Sequence, residues 1–236
     1  MQEKSLYKNI FKRELTIGML YWMLINLISL CGVWFYNWDA KIIFLVYCLE
    51  SVIIGIYTLI KIFLTSLYKR QTEWRFKNGN KTMLLGIFFM LFFTFHFGMF
   101  IFIQLSIFLG VANFGNNIGI SVLKLFLNPS KFLPNYALLL IILLFVTHGL
   151  ILIKDYIISQ EYKTAKIPAL MFEPYSRIII QQIVIILAAI TLLFDKNGKI
   201  LMLIFIVIKI IIDNFIDYKK IIAKAKAETQ TENKIE

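Results

Sequence analysis

The sequence predicts an all-α membrane protein, a polytopic transmembrane bundle of six helices with both termini in the cytoplasm. Its composition is the first reason, since 59% of the 236 residues are hydrophobic and only 17% are charged. Soluble domains average about 45–50% apolar and about 25% charged residues. The other two reasons are long apolar runs and basic residues that cluster in alternate connections. Together they exclude a disordered chain or a disulfide-rich scaffold and argue against a soluble enzyme.

Six apolar runs approach or exceed the length of about 20 residues that a bilayer-spanning helix needs. They cover residues 15–36, 42–68, 83–109, 135–154, 176–194 and 200–217. The chain thus divides into a basic N-terminus at 1–14, a transmembrane domain at 15–217 and a tail at 218–236. The tail is rich in charged and polar residues, and we expect it to be disordered.

The distribution of basic residues sets the predicted orientation. Eighteen of the 25 lysines and arginines lie before residue 15, at 69–81, at 154–177 or after residue 217, and five lie in the other connections. The positive-inside rule therefore places both termini in the cytoplasm of a multi-pass protein of the cell membrane. The net charge of +11 needs no nucleic acid to explain it. We expect this basic face to contact anionic lipid headgroups.

Two connections between the runs are long enough to contain structure of their own. Residues 110–134 form an outer connection, in which 118–127 could form a short interfacial or re-entrant helix. Residues 155–175 form a cytoplasmic connection. Cys31 and Cys48 lie at similar depth on adjacent spans, and we interpret them as unpaired, because neighbouring helix axes rarely allow disulfide geometry.

The second span carries a polar stripe on one helix face. Its residues recur mostly at steps of three and four, which places them on the same side of a helix. The stripe consists of Tyr47, Glu50, Ser51, Tyr57, Thr58, Lys61, Thr65 and Tyr68. Polar groups are costly in hydrocarbon, so this face must line the interior of the bundle.

Ionisable residues inside the spans are the main candidates for function, because such groups are expensive in a bilayer and mark sites or pathways. We predict a central polar site of Glu50, His96 and Lys209. Residues lining the inner half are Lys61, His148, Gln182 and Asp213, and secondary candidates are Gln104, Tyr175 and Arg177. From their depths along the spans, we expect Lys61 to pair with Asp213, and Glu50 to face Lys209 or His96.

A metal or haem site is the alternative use of these side chains. His96, His148 and Glu50 together would make a 2-His-1-carboxylate set. The chain has no HxxxH, HExxH or CxxC spacing, and the two histidines are also explained as hydrogen-bonded interior residues. The sequence contains no nucleophile elbow, phosphate-binding loop or dinucleotide fingerprint, so it leans away from an enzyme.

Several short motifs, in this order and spacing, resemble a prokaryotic family of small integral membrane proteins known as domain of unknown function 6498. Residues 47–55 resemble Y-W-x-E-N-x-x-x-G, 95–100 resemble H-Y-G-x-F, and 147–149 resemble S-H-G. Further matches are Glu161-Tyr162, Leu170-Met171, the P-Y-x-R pattern at 174–177, and Lys209 with Asp213. The resemblance implies no activity. Where the family has further histidines, this chain has Gln104, Gln182 and Asp217, and glutamine is a poor ligand for transition metals.

The leading functional hypothesis is permeation or transport of a small ion, with or without proton coupling. Glu50 or His96 would exchange the proton, because burial and opposite charges move the pKa values of such groups across the useful range. The alternative is a membrane-embedded metal or haem enzyme. A third hypothesis is a non-catalytic assembly or sensor protein that acts through residues 155–175.

Overall fold

The computed structural model describes residues 17–73, 79–111, 118–175, 178–179 and 207, and all regular structure in these ranges is helical. The α-helices are α1 (Ile17–Phe35), α2 (Ala40–Glu73), α3 (Gly79–Val111), α4 (Ile118–Leu127), α5 (Pro129–Phe132), α6 (Asn135–Ile151) and α7 (Ile167–Phe172). A π-helical segment, Leu152–Ile158, continues α6 directly, and a short 3₁₀ turn at Glu161–Lys163 follows it. The all-α prediction is confirmed for this part of the chain.

Three of the described helices are long and apolar enough to cross a membrane. They are Ala40–Lys69, Leu84–Gly110 and Asn135–Ile158, with 30, 27 and 24 residues. At about 1.5 Å per residue each exceeds the bilayer's hydrocarbon thickness of about 30 Å. They correspond to the predicted spans at 42–68, 83–109 and 135–154. Within α1 the apolar stretch Met23–Phe35 is shorter. Apart from 178–179 and 207, the predicted spans at 176–194 and 200–217 lie outside the described residues.

Helix α2 lies at the centre of the described structure and packs against α3, α6 and α7. Every residue from 42 to 51 is buried, so this N-terminal part of α2 is enclosed on all sides. Further along, Ile56, Ile60 and Phe63 are exposed and follow one side of the helix. The polar stripe lies away from that side. Its members are buried except Lys61 and Tyr68, which are half-buried, as expected for polar groups that avoid hydrocarbon.

Helix α3 presents one buried face to α2 and a broad exposed face on its other side. Phe93, Phe97, Ile101 and Leu105 recur every four residues and are buried. The contact between the helices is close because glycines lie at the crossing. A Cβ atom at Gly55 would lie 2.9 Å from Cε1 of Phe97, and one at Gly86 would overlap the side chain of Ser66. Small residues of this kind let membrane helices approach each other.

The connection after α6 is shorter than the sequence predicted. The helix does not end at Lys154 but continues to Ile158, and the chain reverses through Gln160, which has a left-handed φ of 58°. Helix α7 then packs back against α2 and α3, with Ile167, Leu170 and Met171 buried. Sequence reasoning ended the span at the first charges. The exposed side chains of Lys154 and Asp155 do not interrupt a helix, because they can reach toward its polar end.

Two smaller predictions concern the helix at 118–127 and the two cysteines. The expected short helix at 118–127 is present as α4, and it packs against α3 through buried Val122 and Leu125. Cys31 is exposed, Cys48 is buried, and both are free thiols, which confirms that they are not paired. Pro134 precedes α6 and accepts backbone hydrogen bonds from Ala137 and Leu138, so the outer connection leads directly into the third long helix.

Candidate functional site

A carboxylate and an imidazole meet between α2 and α6. Glu50 lies in the enclosed N-terminal part of α2, and its side chain has 0% exposure. Its Oε1 atom is 3.3 Å from Nε2 of His148, which is 11% exposed on α6. An acidic group at this depth is costly unless a polar partner compensates for it, and His148 supplies a partner that can carry positive charge. We call these two residues the acid–imidazole pair.

His148 is a partner of Glu50 that the sequence did not predict. We expected Lys209 or His96; Lys209 lies outside the described residues, so that pairing stays a prediction, and His96 has another hydrogen-bond partner. Sequence reasoning overlooked His148 because of the position of the helix end. Because the third long helix ends at Ile158 rather than at Lys154, His148 lies about 15 Å from its inner end. That is near mid-span, close to the depth of Glu50.

Tyr57 and Gly149 hold the histidine in place. The Tyr57 hydroxyl donates a hydrogen bond to the carbonyl oxygen of Phe145, at 2.8 Å, and its ring stacks on the His148 ring with centroids 6.1 Å apart. A Cβ atom at Gly149 would lie 2.8 Å from the Tyr57 hydroxyl oxygen. Only glycine therefore lets Tyr57 reach this position unhindered. The Thr-His-Gly motif was visible in the sequence, but the role of its glycine depends on a residue 92 positions earlier in the chain.

A second polar cluster lies toward the inner end of α2. Nζ of Lys61 is 3.5 Å from Oε2 of Glu173 and lies 5.6 Å from the ring centroid of Tyr156. The Tyr156 hydroxyl donates to the Lys61 carbonyl oxygen, at 3.2 Å, and also hydrogen-bonds the hydroxyl of Thr65. The predicted partner of Lys61, Asp213, lies outside the described residues. Sequence reasoning missed Glu173 because it placed this residue in a solvated connection.

His96 lies on α3 with a different partner. Its Nδ1 atom is 2.7 Å from the hydroxyl oxygen of Tyr175. Tyr175 follows α7, outside the three long helices, and burial raises the pKa of its phenol, so the hydroxyl keeps its proton at neutral pH. Phe93 and Phe97 contact the Tyr175 ring edge-on. The return of α7 toward α3 is what brings these two residues together.

The other predicted site residues divide into one that the structure describes and four that it does not. Gln104 is buried on α3, beside the thiol of Cys48 on α2. Gln182, Arg177, Asp213 and Lys209 lie outside the described residues. Among the described residues, no group of three or more His, Cys, Asp or Glu side chains could hold a metal ion. In the described part of the chain, His96, His148 and Glu50 do not form the metal-ligand group that the sequence left open.

Comparison with known proteins gives one match. The model of a family described as "Family of unknown function (DUF6498)" matches residues 8–232. That range covers nearly the whole chain and all the motifs on which the resemblance rests. No curated protein and no solved structure matches this chain.

Proposed function

We propose that this chain, which belongs to the DUF6498 family of unknown function, moves protons, or a small ion coupled to protons, across a membrane. The proposal makes it a multi-pass protein of the cell membrane with both termini in the cytoplasm. The acid–imidazole pair is its proton-exchanging site. This function deepens the expectation from the sequence and assigns the central role to Glu50 with His148.

One observation carries the proposal: Glu50 is fully buried at the acid–imidazole pair, 3.3 Å from His148. Two fixed hydrophobic side chains would pack there at less cost, since buried ion pairs seldom stabilise a structure more than apolar replacements. Unlike hydrophobic side chains, carboxyl and imidazole groups can bind and release protons near neutral pH when their surroundings shift their pKa values. Intramembrane acid and histidine residues are typical of proton relays.

The polar stripe of α2 supplies a route from this pair toward the cytoplasm. Beyond Glu50 it presents Tyr57, Lys61, Thr65 and Tyr68, and the distance from Glu50 to Tyr68 is about 27 Å along the helix at 1.5 Å per residue. Near its inner end, the Lys61 and Glu173 side chains are 23% and 34% exposed. Both charged groups are thus partly exposed, whereas the hydroxyl groups of Tyr57, before Lys61, and Thr65, after it, are buried.

The contacts at the inner end of α2 also support the proposed topology. The Tyr68 ring packs edge-on against the Tyr162 ring, and Nζ of Lys163 lies 5.9 Å from the centroid of Tyr68. The inner end of α2 and the reversal after α6 are thus on the same side. Basic residues of both segments are then on that side, as the positive-inside rule requires of a cytoplasmic face.

The test is proton flux into liposomes that contain the purified protein, driven by a potassium diffusion potential. Replacing Glu50→Gln keeps the size of the side chain and removes its titratable proton, and we expect flux to fall to the rate of empty liposomes. Asp155→Asn makes the same chemical change at an exposed position and should leave flux unchanged. Wild-type flux in the Glu50→Gln protein would overturn the proposal.

A further inference from the structure

We propose that His96 and Tyr175 form a second site, which faces the bilayer and binds a neutral, planar, carbonyl-bearing molecule of the quinone class. This site does not depend on the proton-transfer proposal, because it uses neither member of the acid–imidazole pair. We call it the lipid-facing site. Three features support it: a hydrogen-bond donor that the described protein does not use, its depth in the membrane, and the aromatic rings around it.

The first feature is the state of the His96 ring. Within the described part of the chain, the Tyr175 hydroxyl has one hydrogen-bond partner, Nδ1 of His96. In the tautomer in which the Tyr175 hydroxyl donates to that nitrogen, the neutral imidazole carries its own proton on Nε2. No described residue accepts a hydrogen bond from Nε2, and the His96 side chain is only partly buried. In that tautomer the site offers a hydrogen-bond donor on Nε2.

The second feature is where this donor lies. His96 is 12 residues from Leu84 and 14 from Gly110, the two ends of the long helix, or about 18 and 21 Å along its axis. Phe92, Phe95 and Met99 beside it are exposed. Water is absent from the middle of a bilayer, and the ester carbonyls of lipids lie about 15 Å from it. Since no described residue supplies an acceptor, a molecule that dissolves in hydrocarbon can supply it.

The third feature is the shape and charge of the surroundings. The Phe92 ring is stacked on the His96 ring, with centroids 5.2 Å apart and an interplanar angle of 13°. Phe100 meets the same ring edge-on at 5.1 Å, and Phe172 contacts Tyr175 at 6.0 Å. These flat apolar surfaces suit a planar ring. No described charged side chain contacts His96, which favours a neutral ligand over an ion.

The experiment uses the fact that the chain has only two histidines. Protein labelled with ¹⁵N-histidine is placed in nanodiscs and titrated with decylubiquinone, and a His96→Phe variant assigns the signals. We expect a saturable shift of the His96 Nε2 resonance, while the His148 resonances remain in place. Phenyldecane, which has a ring and a chain but no carbonyl oxygen, should cause no shift. A Tyr175→Phe variant should bind about tenfold more weakly, because Nδ1 of His96 loses the hydroxyl that keeps the ring proton on Nε2.

The site is disproved if His96 shows no saturable shift, if both histidines shift together, or if phenyldecane gives the same shift. The two proposals can fail separately. Glu50→Gln should keep the response to decylubiquinone, and His96→Phe should keep the proton flux, so loss of one property does not predict loss of the other.

Discussion

At the scale of single residues, the absence of a side chain at Gly149 sets the geometry of the acid–imidazole pair. Tyr57 occupies the space that a Cβ atom would need, and from there it bonds the Phe145 carbonyl and stacks on His148. The imidazole is therefore held from one side by an aromatic ring and from the other by Glu50. A histidine fixed in this way keeps Nε2 directed at the carboxylate.

A Gly149→Ala substitution should destabilise the protein by about 1–3 kcal/mol, the usual cost of overpacking a closed interior. The added methyl group would force Tyr57 away from Phe145 and loosen His148. The thermal unfolding midpoint in detergent measures the effect. Gly98→Ala is the matched control, since a Cβ atom there meets nothing within 4 Å. An equal midpoint for the two variants would show that Tyr57 does not depend on Gly149.

Single residues also show which features of the site can be predicted from the sequence. Spacing along the second span identified the buried polar face, because a helix repeats every 3.6 residues whatever it packs against. It did not identify the partner of Glu50. That partner depends on where α6 ends, and an error of four residues moves a side chain by about 6 Å along the axis. The structure is therefore needed to identify side-chain pairs between helices, whereas the sequence is enough to identify the buried face of one helix.

At the scale of elements, the π-helical segment Leu152–Ile158 is the unusual feature. Such segments are rare and occur often at functional positions. Here the segment carries buried Tyr156, whose hydroxyl bonds both Thr65 and the Lys61 carbonyl. The segment thus joins the end of α6 to the inner end of α2. The segment was not predicted, since the span predicted from the sequence ends at Lys154.

The bond between Tyr156 and Thr65 can be measured with a double-mutant cycle. Tyr156→Phe and Thr65→Val each remove one hydroxyl, and each should lower the free energy of unfolding by about 0.5–1.5 kcal/mol. Because both variants break the same bond, the double variant should lose less than the sum. Strictly additive losses in chemical unfolding would mean that the two hydroxyl groups do not interact.

At the scale of the whole molecule, one central helix organises the described structure. Helix α2 packs against α3, α6 and α7, and its polar stripe runs from the acid–imidazole pair to the basic end of the bundle. Sequence length and hydropathy located the three long helices to within a few residues, because the bilayer fixes how many apolar residues a span needs. The return of α7 was not predictable, since a short amphipathic segment fits an interface, a connection or a helix interior equally well.

The most direct test of the acid–imidazole pair compares proton uptake by liposomes that contain equal amounts of four proteins. These are the wild type, Glu50→Gln, His148→Gln and the double variant. We expect the rate of proton uptake in both single variants to fall to that of empty liposomes. The double variant should be no slower than either, because two residues that transfer one proton act as a unit. A wild-type rate in either single variant, or a wild-type protein no faster than empty liposomes, would contradict the account.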